Sequence, residues 1–262
     1  MNLGLEGKKA LVLAASDGLG LATAGSLAAE GASVAICSRN PERLDVALRR
    51  IRESARTEAV GFVADVRQEA DLERLFARAV RDLRGLDILV CNAGGPPSGS
   101  FKELPPAEWD AAYELTLLSV ARSVRFALPH FQRSGGGCVL AIVSSSVRRP
   151  IPNLLLSNVF RPAVQALCKS LSVELAVDNI RVNCLAPGRI DTARLRELDA
   201  ANAARQGVPL EEIRSQVLRG IPLGRLGRPE EFGRVAAFLC SPAAAYITGV
   251  TLLVDGGMVT CL

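Results

Sequence analysis

The chain has 262 residues, 49% hydrophobic and 22% charged, which is enough apolar side chain for a sizeable core and argues against disorder. Its formal net charge of +4 comes from basic residues spread along the sequence, which argues against the clustered patch expected of a nucleic-acid binder. No apolar stretch reaches the roughly 20 residues of a membrane span, and the N-terminus has no signal-peptide pattern, so a cytoplasmic protein is expected.

Short apolar runs alternate with stretches of helical length. Residues 9–14 predict a strand and 18–30 an Ala/Leu-rich helix stopped by Gly31. A second strand is expected over 33–38, then a helix over 41–56 that opens on proline and carries charges on one face. Segments 59–64, 68–83 and 86–91 continue as strand, helix and strand. A long helix is expected over 106–131, a strand over 138–143, a helix ending near 177 and a strand over 180–185. A helix near 229–240 and a strand over 251–254 close the chain. Two stretches, 96–105 and 195–222, read as irregular or lid-like.

Strand runs without polar alternation suit a parallel sheet covered on both faces. Repeated β-α-β units then imply an α/β, Rossmann-type doubly wound sheet of about seven strands, with helices on both faces and one domain over 1–262. In such sheets ligands sit beyond the carboxyl ends of the strands, so residues following each strand are the candidates for function. Seven cysteines, with no Cys-x-x-Cys or Cys/His spacing, give no metal-binding pattern. Cys37, Cys91, Cys138 and Cys184 lie in apolar runs and read as small buried hydrophobes in a reducing compartment.

After the first strand comes Ala14-Ala15-Ser16-Asp17-Gly18-Leu19-Gly20, opening a helix. Gly18 and Gly20 allow close backbone approach to a pyrophosphate, whose charge a helix N-terminus favours. Taken alone this is an ordinary tight turn, but three other strand ends carry matching features. Asp65-Val66 follows the third strand, where the carboxylate can accept from an adenine amino group. Asn92-Ala93-Gly94 follows the fourth, and Pro187-Gly188-Arg189-Ile190-Asp191-Thr192 the sixth.

Over essentially its whole length the chain resembles the short-chain dehydrogenase/reductase family. The closing stretches, Pro222 to Glu231 and Ile247 to Gly257, resemble its 3-oxoacyl-(acyl carrier protein) reductase-like branch. The resemblance implies that Asn92 and Gly94 line the adenosine-side floor and that Ile190 and Thr192 hold a nicotinamide carboxamide. The family's Thr-Gly opening is Leu13-Ala14 here, so the extra Cβ is expected to open the turn slightly. Strand two ends at Ser38-Arg39, a hydroxyl and a cation where NAD-selective folds place an acid; this favours NADP(H) over NAD(H). Asp17 works mildly against that choice.

In the family, a Ser polarises the substrate carbonyl, a Tyr exchanges a proton, a Lys tunes the Tyr and binds ribose, and an Asn supports a water relay. The matching positions here are Ser144, Ser157, Arg161 and Thr116, so one side chain of the four is retained. A serine hydroxyl is a far weaker acid than a phenol, and Arg161 can polarise oxygen but not relay a proton as lysine does. Pro162 is expected to delay the helix start. Ser157 then reads either as part of the site or as a loop or capping hydroxyl; Arg161 reads either as a ribose or substrate-oxygen ligand or as a surface ion pair. Tyr113 and Tyr246 are poorly placed to substitute for the missing phenol, Ser145 is a minor stand-in for Ser144, and His130 reads as structural.

Arg148, Arg149 and Arg189 with Arg161 suggest a basic mouth for an acidic or acyl-thioester substrate. Met258, Val259 and Leu262 form an apolar tail that suits the homo-oligomer, tetramer or dimer, usual in the family. Two functions follow: an NADP(H)-dependent oxidoreductase with atypical acid/base residues, or a non-catalytic dinucleotide-binding protein.

Overall fold

The apolar runs become strands because neighbouring side chains along the inner ones are buried in opposite layers. β1 (Lys9–Val12), β2 (Ser33–Ser38), β3 (Ala59–Val63), β4 (Ile88–Cys91), β5 (Gly137–Ile142), β6 (Ile180–Pro187) and β7 (Thr251–Val254) pair in parallel, in the order β3-β2-β1-β4-β5-β6-β7. The structure, a computed structural model, describes residues 2–54 and 57–261. The expected helix end at Arg56 and the terminal Leu262 lie outside the described residues.

Leu11 and Leu13 point into one core, with α3 (Glu69–Leu83), α5 (Ser119–Ser134) and α6 (Leu155–Glu174). Ala10 and Val12 point into the other, with α1 (Gly18–Ala29), α2 (Pro41–Ser54) and α9 (Pro229–Cys240). Side chains such as Phe76, Phe131 and Phe232 are almost wholly buried, and each contributes roughly 1.5–3 kcal/mol of burial free energy. Six cysteines are buried and Cys261 is exposed. Among the described residues no helix is long and apolar enough to cross a membrane, and no cluster of metal-ligating side chains forms.

Three expectations need correction. The 106–131 run is not one regular helix: α4 (Pro106–Tyr113) passes through a π-helical turn, Glu114–Leu118, before α5 begins. Residues 195–222 are not irregular either, since they form most of α7 (Ala193–Gln206) and all of α8 (Leu210–Arg219). Thr192 starts α7 by accepting the Leu195 N–H on its Oγ1 at 3.3 Å, and Gly207 ends it in the left-handed region at φ 66°. Finally, Pro162 does not delay α6 but sits inside it. The missing N–H costs that helix one hydrogen bond, which the burial of Leu156, Val164 and Cys168 offsets. The 96–105 stretch is irregular, as its three prolines and Gly99 indicate.

Candidate active site

The sheet reverses its winding between β1 and β4, and the conserved geometry of such sheets puts a crevice there. Past β1 the backbone turns through Ala14 in the left-handed region (φ 47°). Ala14 thus holds a conformation that suits glycine, at a strain of about 1–2 kcal/mol. Asn92, following β4, holds the turn by donating from Nδ2 to Leu13 O at 3.2 Å and Ala14 O at 2.9 Å. Asp17 then caps α1, its carboxylate accepting the Gly18 N–H at 2.7 Å.

Gly20 has no room for a side chain, since a Cβ there would lie 2.6 Å from Asn92 Nδ2 and 2.9 Å from Ala15 Cα. Gly94 is the opposite case: nothing lies within 4 Å of a Cβ position, so its backbone faces open space where a ligand can approach. That space is a cavity of ≈ 410 Å³ lined by Ala14, residues 16–20, Asn92, Ala93, Gly94, Ser144, Ser157, Arg161, Pro187, Gly188, Ile190 and Thr192. A larger groove of ≈ 950 Å³ shares Asp17, Gly18, Thr192 and Ala193 with it but runs mainly over the outer faces of α1 and α9. Because it lies away from most strand ends, the smaller cavity is the better candidate.

At the neighbouring strand ends, outside the cavity lining, lie Ser38, Arg39, Asp65 and Val66. Ser38 donates its hydroxyl to Ser16 Oγ at 2.9 Å and accepts the Asn40 N–H at 3.2 Å. The Arg39 side chain is 65% exposed and approaches Asp65 Oδ2 only at 3.8 Å, which leaves its guanidinium available to an anion. Asp65 is already engaged: Arg67 grips both carboxylate oxygens at 2.6–3.1 Å and adds its backbone N–H at 3.0 Å. Burial alone raises the Asp65 pKa, but the Arg67 bonds and the charges of Arg67 and Arg39 outweigh it and hold the carboxyl below its usual range. The acceptor expected for an adenine amino group is therefore occupied by Arg67 in this arrangement. Val66 is buried in the core.

Since α6 begins at Leu155, Ser157 and Arg161 stand one helical turn apart on a shared face, and both line the cavity with Ser144. Ser144 Oγ accepts the Ser146 N–H at 3.1 Å, which leaves its own proton free to donate. Ser157 is part of the helix rather than a loop or capping hydroxyl, and among the described residues its Oγ has no hydrogen-bond partner. Arg161 is not a surface charge: it is 8% exposed, with Nη1 donating to Ile142 O at 2.8 Å. It forms no ion pair among the described residues. Burial, then the neighbouring Arg194 charge, brings its pKa down to about 10, so it remains a cation at neutral pH.

Thr116 does not line the cavity. It is buried in the π-helical turn, with an Oγ1 that has no hydrogen-bond partner. Ser145 is buried and contributes to the lining. Arg148 and Arg149 are exposed and outside it, which removes them from the expected basic mouth, whereas Arg189 lines the cavity and pairs with buried Asp199 at 3.1 Å. His130 contacts Arg133 on α5, and Tyr113 and Tyr246 are exposed away from the cavity.

Among the lining residues not expected at the site from the sequence are Arg194 and Glu197, and Met258, which was read only as part of the apolar tail. Arg194, in the first turn of α7, donates from Nη2 to Pro96 O at 2.7 Å and lies 3.7 Å from Glu197 Oε2. Thr192, the last residue of the Pro187–Thr192 stretch, and Gly207 were the available start and stop signals for that helix. Met258 returns to the cavity after the turn at Asp255, Gly256 and Gly257, instead of leaving the apolar tail wholly free.

Comparison with known proteins agrees with this geometry. Residues 13–259 match the family model described as enoyl-(acyl carrier protein) reductase. Dehydrogenase/reductase SDR family member 4 of Bos taurus is 38% identical over 259 residues, covering 98% of this chain and 89% of that protein. The L-sorbose reductase of Gluconobacter frateurii, solved with NADPH and L-sorbose, superposes with a TM-score of 0.94 at 30% identity, covering 100% of both chains. A 7α-hydroxysteroid dehydrogenase solved with NADH superposes at 0.89 with 33% identity, covering 100% of this chain and 98% of that one. With its sheet order, its cavity and these relatives in agreement, the chain belongs to the short-chain dehydrogenase/reductase family.

Proposed function

We propose that this chain is an oxidoreductase that transfers hydride between NADP(H) and a carbonyl/alcohol pair, using an atypical acid/base set. The observation that carries the reading is the single cavity that joins the glycine turn and Asn92 to Ser144, Ser157, Arg161 and the Pro187–Thr192 stretch. The residues fit a dinucleotide: Gly94 opens the backbone to a ligand, and the α1 N-terminus with Gly18 suits a pyrophosphate. Ser16, Ser38 and the available guanidinium of Arg39 suit a 2′-phosphate, which favours NADP(H); Ile190 and Thr192 suit a carboxamide. When bound, the nicotinamide supplies or accepts the hydride.

The chain's own residues do the rest. Ser144 donates a hydrogen bond from its free hydroxyl to the carbonyl oxygen, keeping its proton, and Arg161 stabilises charge developing there while reaching the ribose. Ser157 is too weak an acid to replace a phenol, so it positions the water that delivers the proton. Loss of a positioned general acid typically costs about 10²–10⁴-fold in rate, part of which a desolvated cation recovers. The 195–222 segment, helical here, serves as the lid through Leu195 and Leu198, which line the cavity. Exposed Phe101 and Tyr113, packed on the partly buried Trp109 and Phe160, form an aromatic face that suits self-association.

Trp109, the only tryptophan, packs edge-on to Phe160 and offers a fluorescence reporter. Titration with NADPH should give saturable energy transfer, and NADPH oxidation should appear with a member of a panel of 3-oxoacyl thioesters, quinones and small ketones. Saturable binding with no turnover across the panel would instead support the non-catalytic reading.

A further inference from the structure

We propose that the substrate carries a carboxylate or equivalent anionic group held between Arg194 and Arg161, making this a site for oxo acids in preference to neutral ketones. The carbonyl half of this statement rests on the oxidoreductase reading; the anion half stands on the cavity's own charges.

Four arginines line the cavity: Arg43 on α2 and, beyond the ends of β5 and β6, Arg161, Arg189 and Arg194. The fold neutralises Arg189 with the buried carboxylate of Asp199. It provides no such partner for Arg161, whose single hydrogen bond goes to the Ile142 carbonyl, although its side chain is more than nine-tenths buried. Arg194 is near enough for its charge to disfavour that of Arg161. Two guanidinium groups thus share one partly desolvated space, an arrangement that a ligand anion would relieve.

The remaining acids do not fill that role. Asp17 is committed to the Gly18 N–H at the start of α1. Glu197 lines the cavity but is 69% exposed and meets Arg194 only at 3.7 Å, a solvated contact that contributes little and yields readily to a ligand. No acidic residue occupies the first turn of α7, so the positive end of that helix adds to the same field. The Pro96 carbonyl holds Arg194 in place. Around the cations, Ile151, Leu154, Leu198 and Met258 provide an apolar wall, which suits the aliphatic part of an oxo acid.

The test titrates NADPH-loaded wild type, Arg194→Gln and Arg194→Lys by calorimetry with 2-oxohexanoate, 4-oxopentanoate and 5-oxohexanoate, and with their methyl esters. NADPH oxidation is followed in parallel. At least one acid should bind wild type about 10- to 100-fold more tightly than its ester, as expected for a hydrogen bond to a charged group. Arg194→Gln should bring the acid down to the ester's level, and Arg194→Lys should restore part of the difference. The proposal is overturned if no acid binds, if every acid binds no more tightly than its ester, or if Arg194→Gln leaves the acid-to-ester ratio intact. Selective acid binding without NADPH oxidation upholds the anion site and counts against hydride transfer. Oxidation with equal affinity for acid and ester does the reverse.

Discussion

Replacing Arg161 by methionine should make the protein more stable while impairing the proposed reaction. The folded chain holds the Arg161 guanidinium at a pKa of about 10, against an ordinary value of 12.5. That displacement means the buried charge is disfavoured by ~3 kcal/mol, at 1.36 kcal/mol per tenfold change in proton affinity. Methionine removes the charge and fills much of the same space with flexible apolar atoms. It also loses the bond to Ile142 O, worth ~1 kcal/mol net. The balance is a gain of ~2 kcal/mol, or a rise in Tm of about 4–8 °C for a chain of this size.

A basic group with a depressed folded-state pKa leaves the folded chain with fewer bound protons between about pH 10 and 12.5, so stability rises with pH only in that window. At neutral pH both states carry the charge and its full cost is present, which makes substitution a better probe than titration. Urea unfolding of wild type and Arg161→Met, in a chloride buffer free of carboxylate and phosphate, measures the difference. Destabilisation by ~1 kcal/mol or more would show that the cation is well compensated in the native state and would refute the reasoning. In the same variant, NADPH oxidation should fall by about 10²–10³-fold, the usual effect of losing a group that stabilises developing negative charge.

Three further substitutions probe the framework. Ala14→Gly relieves a left-handed residue at φ 47° and should raise the urea midpoint by the equivalent of ~0.5–1 kcal/mol, after allowance for the greater freedom of glycine in the unfolded chain; a lower midpoint would remove the strain argument. Gly20→Ala places a methyl 2.6 Å from Asn92 Nδ2 and should cost ~1–3 kcal/mol while weakening NADPH binding in the Trp109 fluorescence titration; unchanged affinity would separate this turn from the cofactor. Arg39→Asp should shift the NADPH-to-NADH affinity ratio towards NADH by about 10- to 100-fold. An unchanged ratio would take Arg39 out of the 2′-phosphate site.

Most of the fold was legible because parallel strands buried on both faces must be apolar at successive positions, as Val34 to Cys37 and Val139 to Ile142 are. Residues at the strand tips were legible for the same reason, since the strands locate them. The inward face of α7 was not, because it is partly polar: buried Asp199 packs there against Arg189, so no apolar stripe marks the helix. Without α7, Arg194 could not be placed at the cavity. The π-helical turn was hidden too, as four of the five residues from Glu114 to Leu118 are good helix formers and the wider turn leaves no compositional mark. Arg67 folding back on Asp65 is a choice between side-chain partners that a linear motif does not encode. At Pro162 a sound local rule lost to tertiary packing, and the consequence matters: had α6 begun after it, Ser157 and Arg161 would not share a helical face.

The departures from local stability rules bear on function. Ala14 takes a backbone conformation that suits glycine, and Arg161 is a buried cation without a carboxylate; both line the cavity at the switch point. Thr116, with a buried hydroxyl left unbonded, belongs to the π-helical turn that packs on α6, the helix carrying Ser157 and Arg161. Thr23, inside α1, is the other such hydroxyl among the described residues and shows that an orphan alone does not mark a site. Natural proteins tolerate strained backbone and uncompensated charge chiefly where a ligand or reaction makes use of them. Exchanging Arg161 for a neutral side chain would lighten the fold's burden by single substitution, so its presence beside Ser144 and Ser157 favours a working site over a framework that merely retains the shape of one.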